Sequence, residues 1–252
     1  MDTYLFIDLS YFIFHQYYSK KRYFQFQELS IENLINNEEF LKIFSDFEKK
    51  FNIIKKKLKL DKNVKIILAR DCRRRNIWRN ELLPSYKASR KVNTEVGEFF
   101  IYTYDNIIKN YNCISVDNCE ADDIIGIITK NLYKNNKIYI ITDDLDYLQL
   151  LNTNVEIYNL KFKNLKDKSI GENDLLKKII LGDKSDNIPS IHKKLGEKTV
   201  EKYINNNDML ESKLENIEIK EQFELNRKLI DMNYIPDIYK KKILEEFKKI
   251  KY

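Results

Sequence analysis

The sequence predicts an open α/β fold built on a buried, mostly parallel β-sheet. Three observations predict it. Short runs are apolar at successive positions, as strands buried on both faces require. The segments between them are helix-length, with apolar residues recurring every three or four positions. Each run delivers carboxylates at its C-terminal end, the edge where open α/β sheets bind ligands.

Tyr4-Leu5-Phe6-Ile7 is the first run and ends at Asp8. Residues 32–59 follow as a helix by apolar spacing. Val64-Lys65-Ile66-Ile67-Leu68-Ala69 is a second strand, with Asp71 just beyond it, and 95–111 is a second helix. Cys113-Ile114-Ser115-Val116 is a weaker strand leading to Glu120, Asp122 and Asp123. Residues 120–133 form a helix whose buried stripe is Ile124, Ile125, Ile128 and Leu132. Lys137-Ile138-Tyr139-Ile140-Ile141 runs into Thr142, Asp143, Asp144 and Asp146. Beyond Asp186 the chain is Lys-rich and helical, over 199–206 and about 211–250, with no strand between.

At 252 residues the chain fits one domain with a helical extension. Hydrophobic residues at 43% and charged residues at 33% mark a globular chain, and 5 Gly and 3 Pro exclude collagen-like or linker-rich readings. Three cysteines, Cys72, Cys113 and Cys119, form no CxxC pair; they fit a reduced compartment and argue against a disulfide scaffold or structural zinc. No apolar run has membrane-spanning length, and the start Met1-Asp2-Thr3-Tyr4 lacks a basic signal-peptide segment. An intracellular, soluble protein is expected. The net charge of +6 hints at a polyanionic partner, and the segment 70–91, with eight basic and two acidic residues, carries that much by itself.

The carboxylates carry the chemistry. Asp8, Asp71, Glu120, Asp122, Asp123, Asp144, Asp146, Asp183 and Asp186 all lie at or near strand ends or helix starts. Helix N-capping explains one or two such positions, not the set. Brought together they repel, so cations or protons must accompany them. Oxygen donors without His or Cys partners select Mg²⁺ or Mn²⁺. Two such ions about 4 Å apart can activate water and stabilise both oxygens of a phosphodiester under attack. Glu120 and Asp123 share one face of a helical first turn, Asp183 and Asp186 have the same spacing, and Asp144 and Asp146 face one side of an extended segment.

These residues fall in ordered motifs: Phe6-Ile7-Asp8; Asp71, then Trp78-Arg79-Asn80-Glu81-Leu82-Leu83-Pro84-Ser85-Tyr86-Lys87-Ala88-Ser89-Arg90; Glu120-Ala121-Asp122-Asp123-Ile124; Thr142-Asp143-Asp144-Leu145-Asp146-Tyr147-Leu148-Gln149-Leu150; Gly182-Asp183-Lys184-Ser185-Asp186-Asn187-Ile188-Pro189; and Gly196-Glu197-Lys198-Thr199. In this order, over roughly 3–204, the chain resembles the 5′-3′ exonuclease and flap endonuclease family, which includes the nuclease domain of bacterial DNA polymerase I. The resemblance implies a PIN-like nuclease core over 1–187 with a helical arch around 72–100. It also implies a helix–three-turn–helix DNA-binding region with C-terminal helices over 188–252. It makes the nine carboxylates metal ligands, direct or through water, with Asp8, Asp122 and Asp144 central to catalysis. It makes Lys87 and Arg90 the arch cations on the scissile phosphate and Tyr86 a ring that stacks on a base or caps the site. The implied activity is structure-specific 5′-3′ exonuclease and flap endonuclease cleavage in DNA replication or repair, with two or more Mg²⁺ (or Mn²⁺). The implied partners are 5′ flaps, nicked or branched duplexes and 5′ ends, acted on by a monomer, with a DNA polymerase as a possible protein partner.

The sequence departs from the family in four places. Leu9 replaces the Gly after the first aspartate, His15 stands where an Arg is usual, one extra residue lies between Asp71 and Arg79, and Ile191-His192-Lys193-Lys194-Leu195 lacks its first Gly. The last leaves a K⁺ site at that turn open. Arg73, Arg74, Arg75, Arg79, Lys87, Arg90 and Lys91 are read as phosphate contacts, with Tyr86 exposed and Trp78 in the core. Gly196 and Thr199 open a helix whose free N–H groups suit a phosphate, beside Lys193, Lys194 and Lys198. Two rivals stand beside this reading: a PIN-like ribonuclease, which has no need of 182–199, and a non-catalytic DNA-junction binder, which gains nothing from clustered carboxylates. With two His and no base beside Ser10 or Ser185, serine nucleophile chemistry is disfavoured.

Overall fold

The computed structural model describes residues 1–91, 93–169 and 173–251. Its five described strands are β1 (Thr3–Asp8), β2 (Lys65–Arg70), β3 (Cys113–Ser115), β4 (Lys137–Ile141) and β5 (Val155–Tyr158). They lie in the order β3-β2-β1-β4-β5, and all four pairings are parallel. The strand order therefore reverses beside β1, and the crevice at its C-terminal end is where such sheets hold ligands. Successive β1 side chains point to opposite faces. Tyr4 and Phe6 enter one core, Leu5 and Ile7 the other, and Leu5, Phe6 and Ile7 are wholly buried.

The face holding Leu5 and Ile7 is covered by α1 (Leu9–Phe26), α2 (Glu38–Phe44), α3 (Phe47–Lys57) and, after β2, by α5 (Thr94–Asn106). No element was expected over 9–26. Its inner stripe Leu9, Phe12, Ile13, Gln16 and Tyr17 is regular, but Phe14, Tyr18, Tyr23 and Phe26 place aromatic rings outside too and hide the period. The helix expected over 32–59 is broken. Asn37 accepts the Phe40 N–H (2.9 Å) and Asp46 the Lys49 N–H (3.1 Å), so each starts a new helix.

The other face carries α6 (Ala121–Leu132) and α11 (Asp237–Lys248), with Ile124, Ile125, Ile128 and Ile243 inside. Between β2 and α5, the stretch expected to form the arch holds a 3-10 turn at Arg74–Asn76 and the short α4 (Arg79–Leu82); 84–89 are turns, with Lys87 at φ 55°. Pro84 cannot extend α4, and Lys87 N–H donates to the Asp186 carbonyl (2.9 Å), which ties the segment down. The remaining helices, α7 (Asp174–Leu181), α8 (Glu197–Asn205), α9 (Asn207–Leu214) and α10 (Ile217–Ile230), enclose a third core that includes Ile179, Ile180, Val200 and Phe223. The single long segment expected over 211–250 is interrupted at Asn216, which caps α10, and by Pro236 before α11. Gln149 joins this unit to the sheet, bonding the Ile230 carbonyl and the Met232 N–H, each at 3.0 Å.

Candidate active site

The crevice at the strand ends gathers the carboxylates into a continuous chain. Asp8 ends β1 and caps α1, its Oδ1 accepting the Tyr11 N–H at 3.1 Å. Its Oδ2 accepts the hydroxyls of Thr142 (3.2 Å) and Tyr147 (3.4 Å). Asp71, one residue past β2, accepts the Ala121 N–H at 2.7 Å and the Ser10 hydroxyl. Asp144 caps the 3-10 turn Leu145–Leu150 by accepting the Asp146 N–H at 2.9 Å. That segment was expected to be extended; the cap coils it instead. Glu120 and Asp123 form the reciprocal capping box of α6. N-capping is thus present at several positions, but it uses one face of each carboxylate and does not separate them.

Asp146, Asp183 and Asp186 offer oxygens within 4.8 Å of one another, as do Glu120, Asp122 and Asp123. Tyr86 joins the two groups, its hydroxyl donating to Glu120 (3.0 Å) and lying 3.3 Å from Asp186. Crowding shifts the titrations. Burial, with Asp71 and Asp144, pushes Asp8 up to about 7. Burial, with Glu120 and Asp123, holds Asp122 well above the usual carboxylate range. Burial and Asp144 push Asp146 up to about 6 against the pull of Lys178. Asp183 is opposed by burial but falls to about 2 under hydrogen bonds from Lys178 and Ser185.

Internal cations divide the set. Arg79 is fully buried; its guanidinium donates to Glu120 (3.0 Å), to both Asp123 oxygens (2.8 and 3.0 Å) and to the Leu229 carbonyl (2.8 Å). Trp78 also donates to Asp123, at 3.0 Å. Arg79 as a phosphate contact is therefore corrected. A buried carboxylate pair needs a buried counter-charge, and the planar fork of Arg supplies it. The exposed placement of Tyr86 is corrected too: the residue is 5% exposed, because its hydroxyl has carboxylate partners inside. Trp78 lies in the core, as expected.

Lys87 Nζ pairs with Glu120 and lies 3.6 Å from Asp186, while Arg90 pairs with Asp186. Lys178, absent from the sequence expectations because α7 was not recognised, bridges Asp146 and Asp183 (2.8 Å to the latter). Its only sequence signal is its position one helical turn before Gly182-Asp183. Among the described residues, Asp8, Asp71, Asp122 and Asp144 have no ion-pair partner. Arg73, Arg74 and Arg75 are exposed outside this crevice, as are Lys193, Lys194, Gly196 and Lys198 at the start of α8, with Thr199 half-buried in its first turn. His15 is half-buried, and burial, with Lys50 and Lys161 nearby, lowers its pKa to about 4.

A parallel α/β sheet with carboxylates converging at its switch point defines the class of fold. Residues 3–179 match the family described as 5′-3′ exonuclease, N-terminal resolvase-like domain. The chain is 34% identical over 199 residues to a DNA polymerase I of Caldicellulosiruptor bescii, covering 70% of this chain and 23% of that protein. It is 30% identical over 191 residues to a 5′-3′ exonuclease of Buchnera aphidicola (71% of this chain, 62% of that protein). It is also 30% identical over 217 residues to a ribonuclease H of Enterobacteria phage T4 (75% and 70%). The chain spans 23%, 51% and 62% of three curated relatives it matches. Among solved structures, a flap endonuclease of bacteriophage T5 in complex with DNA and metal ions has a TM-score of 0.65 at 15% identity, covering 98% of this chain and 100% of that one. A zinc-bound T5 5′-exonuclease has 0.63 at 19%, covering 96% and 98%. At these identities the likeness shows the fold. The chain belongs to the 5′-3′ exonuclease family, as its motifs implied. No described helix is long and apolar enough to cross a membrane.

Proposed function

We propose that the chain is a divalent-metal-dependent, structure-specific 5′-3′ DNA exonuclease and flap endonuclease acting in replication or repair. One observation carries this reading: four carboxylates, Asp8, Asp71, Asp122 and Asp144, form no ion pair among the described residues yet crowd one sheet edge in a chain of this family. All four act on the buried Tyr147 hydroxyl and raise its pKa after burial itself. An all-oxygen donor set of carboxylates fits a hard divalent cation, Mg²⁺ or Mn²⁺. Asp8, Asp122 and Asp144, with Asp71, would hold one ion; Asp146, Asp183 and Asp186 would hold a second, with Glu120 and Asp123 orienting the set. Bound there, the metals supply Lewis-acid stabilisation of phosphate and lower the pKa of water.

The chain's own groups divide the remaining work. Lys87 and Arg90, on a segment of turns rather than a rigid helix, can exchange Glu120 and Asp186 for a phosphate and stabilise its developing charge. Arg79 and Trp78 fix Asp123, and through it the start of α6. Arg73, Arg74 and Arg75 and the α8 start contact the DNA backbone. The N-terminal part, 1–187, carries the chemistry and 188–252 grips duplex DNA; a polymerase partner, a monomeric state and K⁺ at the 191–195 turn belong to the same reading.

Purified protein with Mg²⁺ cleaves a labelled 5′ flap to a 5′-phosphate and a 3′-hydroxyl, and Asp122→Asn abolishes this. Product analysis on a flap, a nick and single-stranded DNA ranks the substrates. Undiminished cleavage in EDTA refutes the reading, and preference for an RNA competitor over DNA favours the ribonuclease alternative.

A further inference from the structure

We propose that an aromatic ladder on α1 and α5, beginning beside Asp71, is a stacking track for the single-stranded arm of a DNA substrate. This rests on the reading above that the chain acts on branched DNA. Ser10, whose hydroxyl donates to Asp71, is followed at four-residue steps by Phe14 and Tyr18. Residues so spaced share one helix face, and each step advances about 6 Å. The two rings are parallel within 8°, their centroids 6.4 Å apart. On α5, Phe100 meets Phe14 edge-on at 5.1 Å and Tyr104 meets Phe100 at 6.0 Å. The Arg70 guanidinium lies 3.6 Å above the Tyr104 ring centroid.

The ladder thus has both its starts, Ser10 and Arg70, at Asp71. Its far end, Tyr18, accepts a hydrogen bond from Asn93 (3.2 Å), just past the segment 70–91 that carries the chain's excess positive charge. Core packing accounts for Phe100 and Tyr104, which are half-buried against it, but not for the outer rings Phe14 and Tyr18. The inner stripe of α1 already fills the core, whereas Phe14 and Tyr18 remain 42% and 50% exposed. Every base has a π-face, so the exposed rings Phe14 and Tyr18, in a row that ends at the Arg70 guanidinium, suit a single strand of any sequence. Aromatic rings neutralise no phosphate, so the ladder adds affinity that salt does not screen.

The test uses the full chain in Ca²⁺, a hard cation that neutralises the carboxylates but lacks the tight octahedral geometry of Mg²⁺, so that DNA can bind without being cut, with fluorescent 5′-flap DNA bearing an oligo-dT arm and a matching nicked duplex without it. The paired variant Phe14→Leu and Tyr18→Leu keeps apolar bulk and removes the rings. It weakens flap binding about tenfold relative to wild type. Nicked-duplex affinity and the salt slope of flap binding stay unchanged. The paired alanine variant gives the same selective loss. Unaltered flap binding overturns the inference, and so does an equal loss on both DNAs, which marks a structural role; in both cases the nuclease reading stands. If wild type binds neither DNA, the inference and the nuclease reading fall together.

Discussion

Lys178→Met removes the cation between Asp146 and Asp183. The ammonium lies 2.8 Å from Asp183 and pairs also with Asp146. Two unit charges at such range interact by about 6 kcal/mol at an effective dielectric of 20. The side chain is 27% exposed, so solvent screens part of that, and about 2 kcal/mol is the reasonable net loss in metal-free protein. For a chain of this size that lowers the melting temperature by roughly 5 °C. The same substitution removes a competitor for any cation entering Asp146, Asp183 and Asp186, so Mn²⁺ binding to the weaker class of sites tightens about tenfold. Melting in EDTA and in excess Mn²⁺, with a Mn²⁺ titration followed by electron paramagnetic resonance, reads both effects. The deficit in EDTA should close in Mn²⁺. A metal isotherm identical to wild type, with equal melting deficits in EDTA and Mn²⁺, refutes the assignment of Lys178 as an internal counter-cation.

Three further outcomes follow from the same geometry. The Asp8 carboxyl is raised from 3.8 to about 7, so the fold favours its protonated form; the penalty for ionising it is absent below pH 4 and complete above 7. Asp8→Asn should therefore melt with wild type at pH 4 and roughly 10 °C above it at pH 7.5 in EDTA, an advantage that Mn²⁺ erases by stabilising wild type alone; an advantage independent of pH contradicts this. Arg79→Gln, which leaves Asp123 in the core without its cation while Glu120 keeps Lys87, should cost about 3–5 kcal/mol by denaturant unfolding, whereas replacing Arg73, Arg74 and Arg75 with Ala leaves stability intact and flattens the salt dependence of DNA binding by up to ~3 units. At Gly182, with φ 70°, an added Cβ would meet the Ile188 carbonyl oxygen at 2.3 Å, so Gly182→Ala should destabilise the α7–α8 turn by at least about 2 kcal/mol in the same unfolding assay.

The strands carrying the site were readable because burial on both faces leaves a run without polar interruption, as in Leu5-Phe6-Ile7 and Ile138 to Ile141. Asp8, Asp71, Asp144 and Asp146 were readable because each sits just past such a run, whereas Asp183 and Asp186 follow α7 and were marked by their motif alone. What was not readable depends on partners distant in sequence. Arg79 looks like Arg73 to Arg75 until the fold sets it against Asp123, and Tyr86 looks exposed between Ser85 and Lys87 until Glu120 and Asp186 claim its hydroxyl. β5 is short, and its alternating pattern in VEIY is diluted by the polar turns around it. α1 hides because aromatic residues occupy both its faces, and the outer rings that blur its period are the ones the ladder uses.

Crystals soaked in Mn²⁺ and measured at the manganese edge locate the ions directly. The account predicts a strong anomalous peak enclosed by Asp8, Asp122 and Asp144, and a weaker one at Asp146 and Asp183 that displaces the Lys178 ammonium. Manganese confined to outer surface carboxylates at saturating concentration, with no peak at the end of β1, would contradict it.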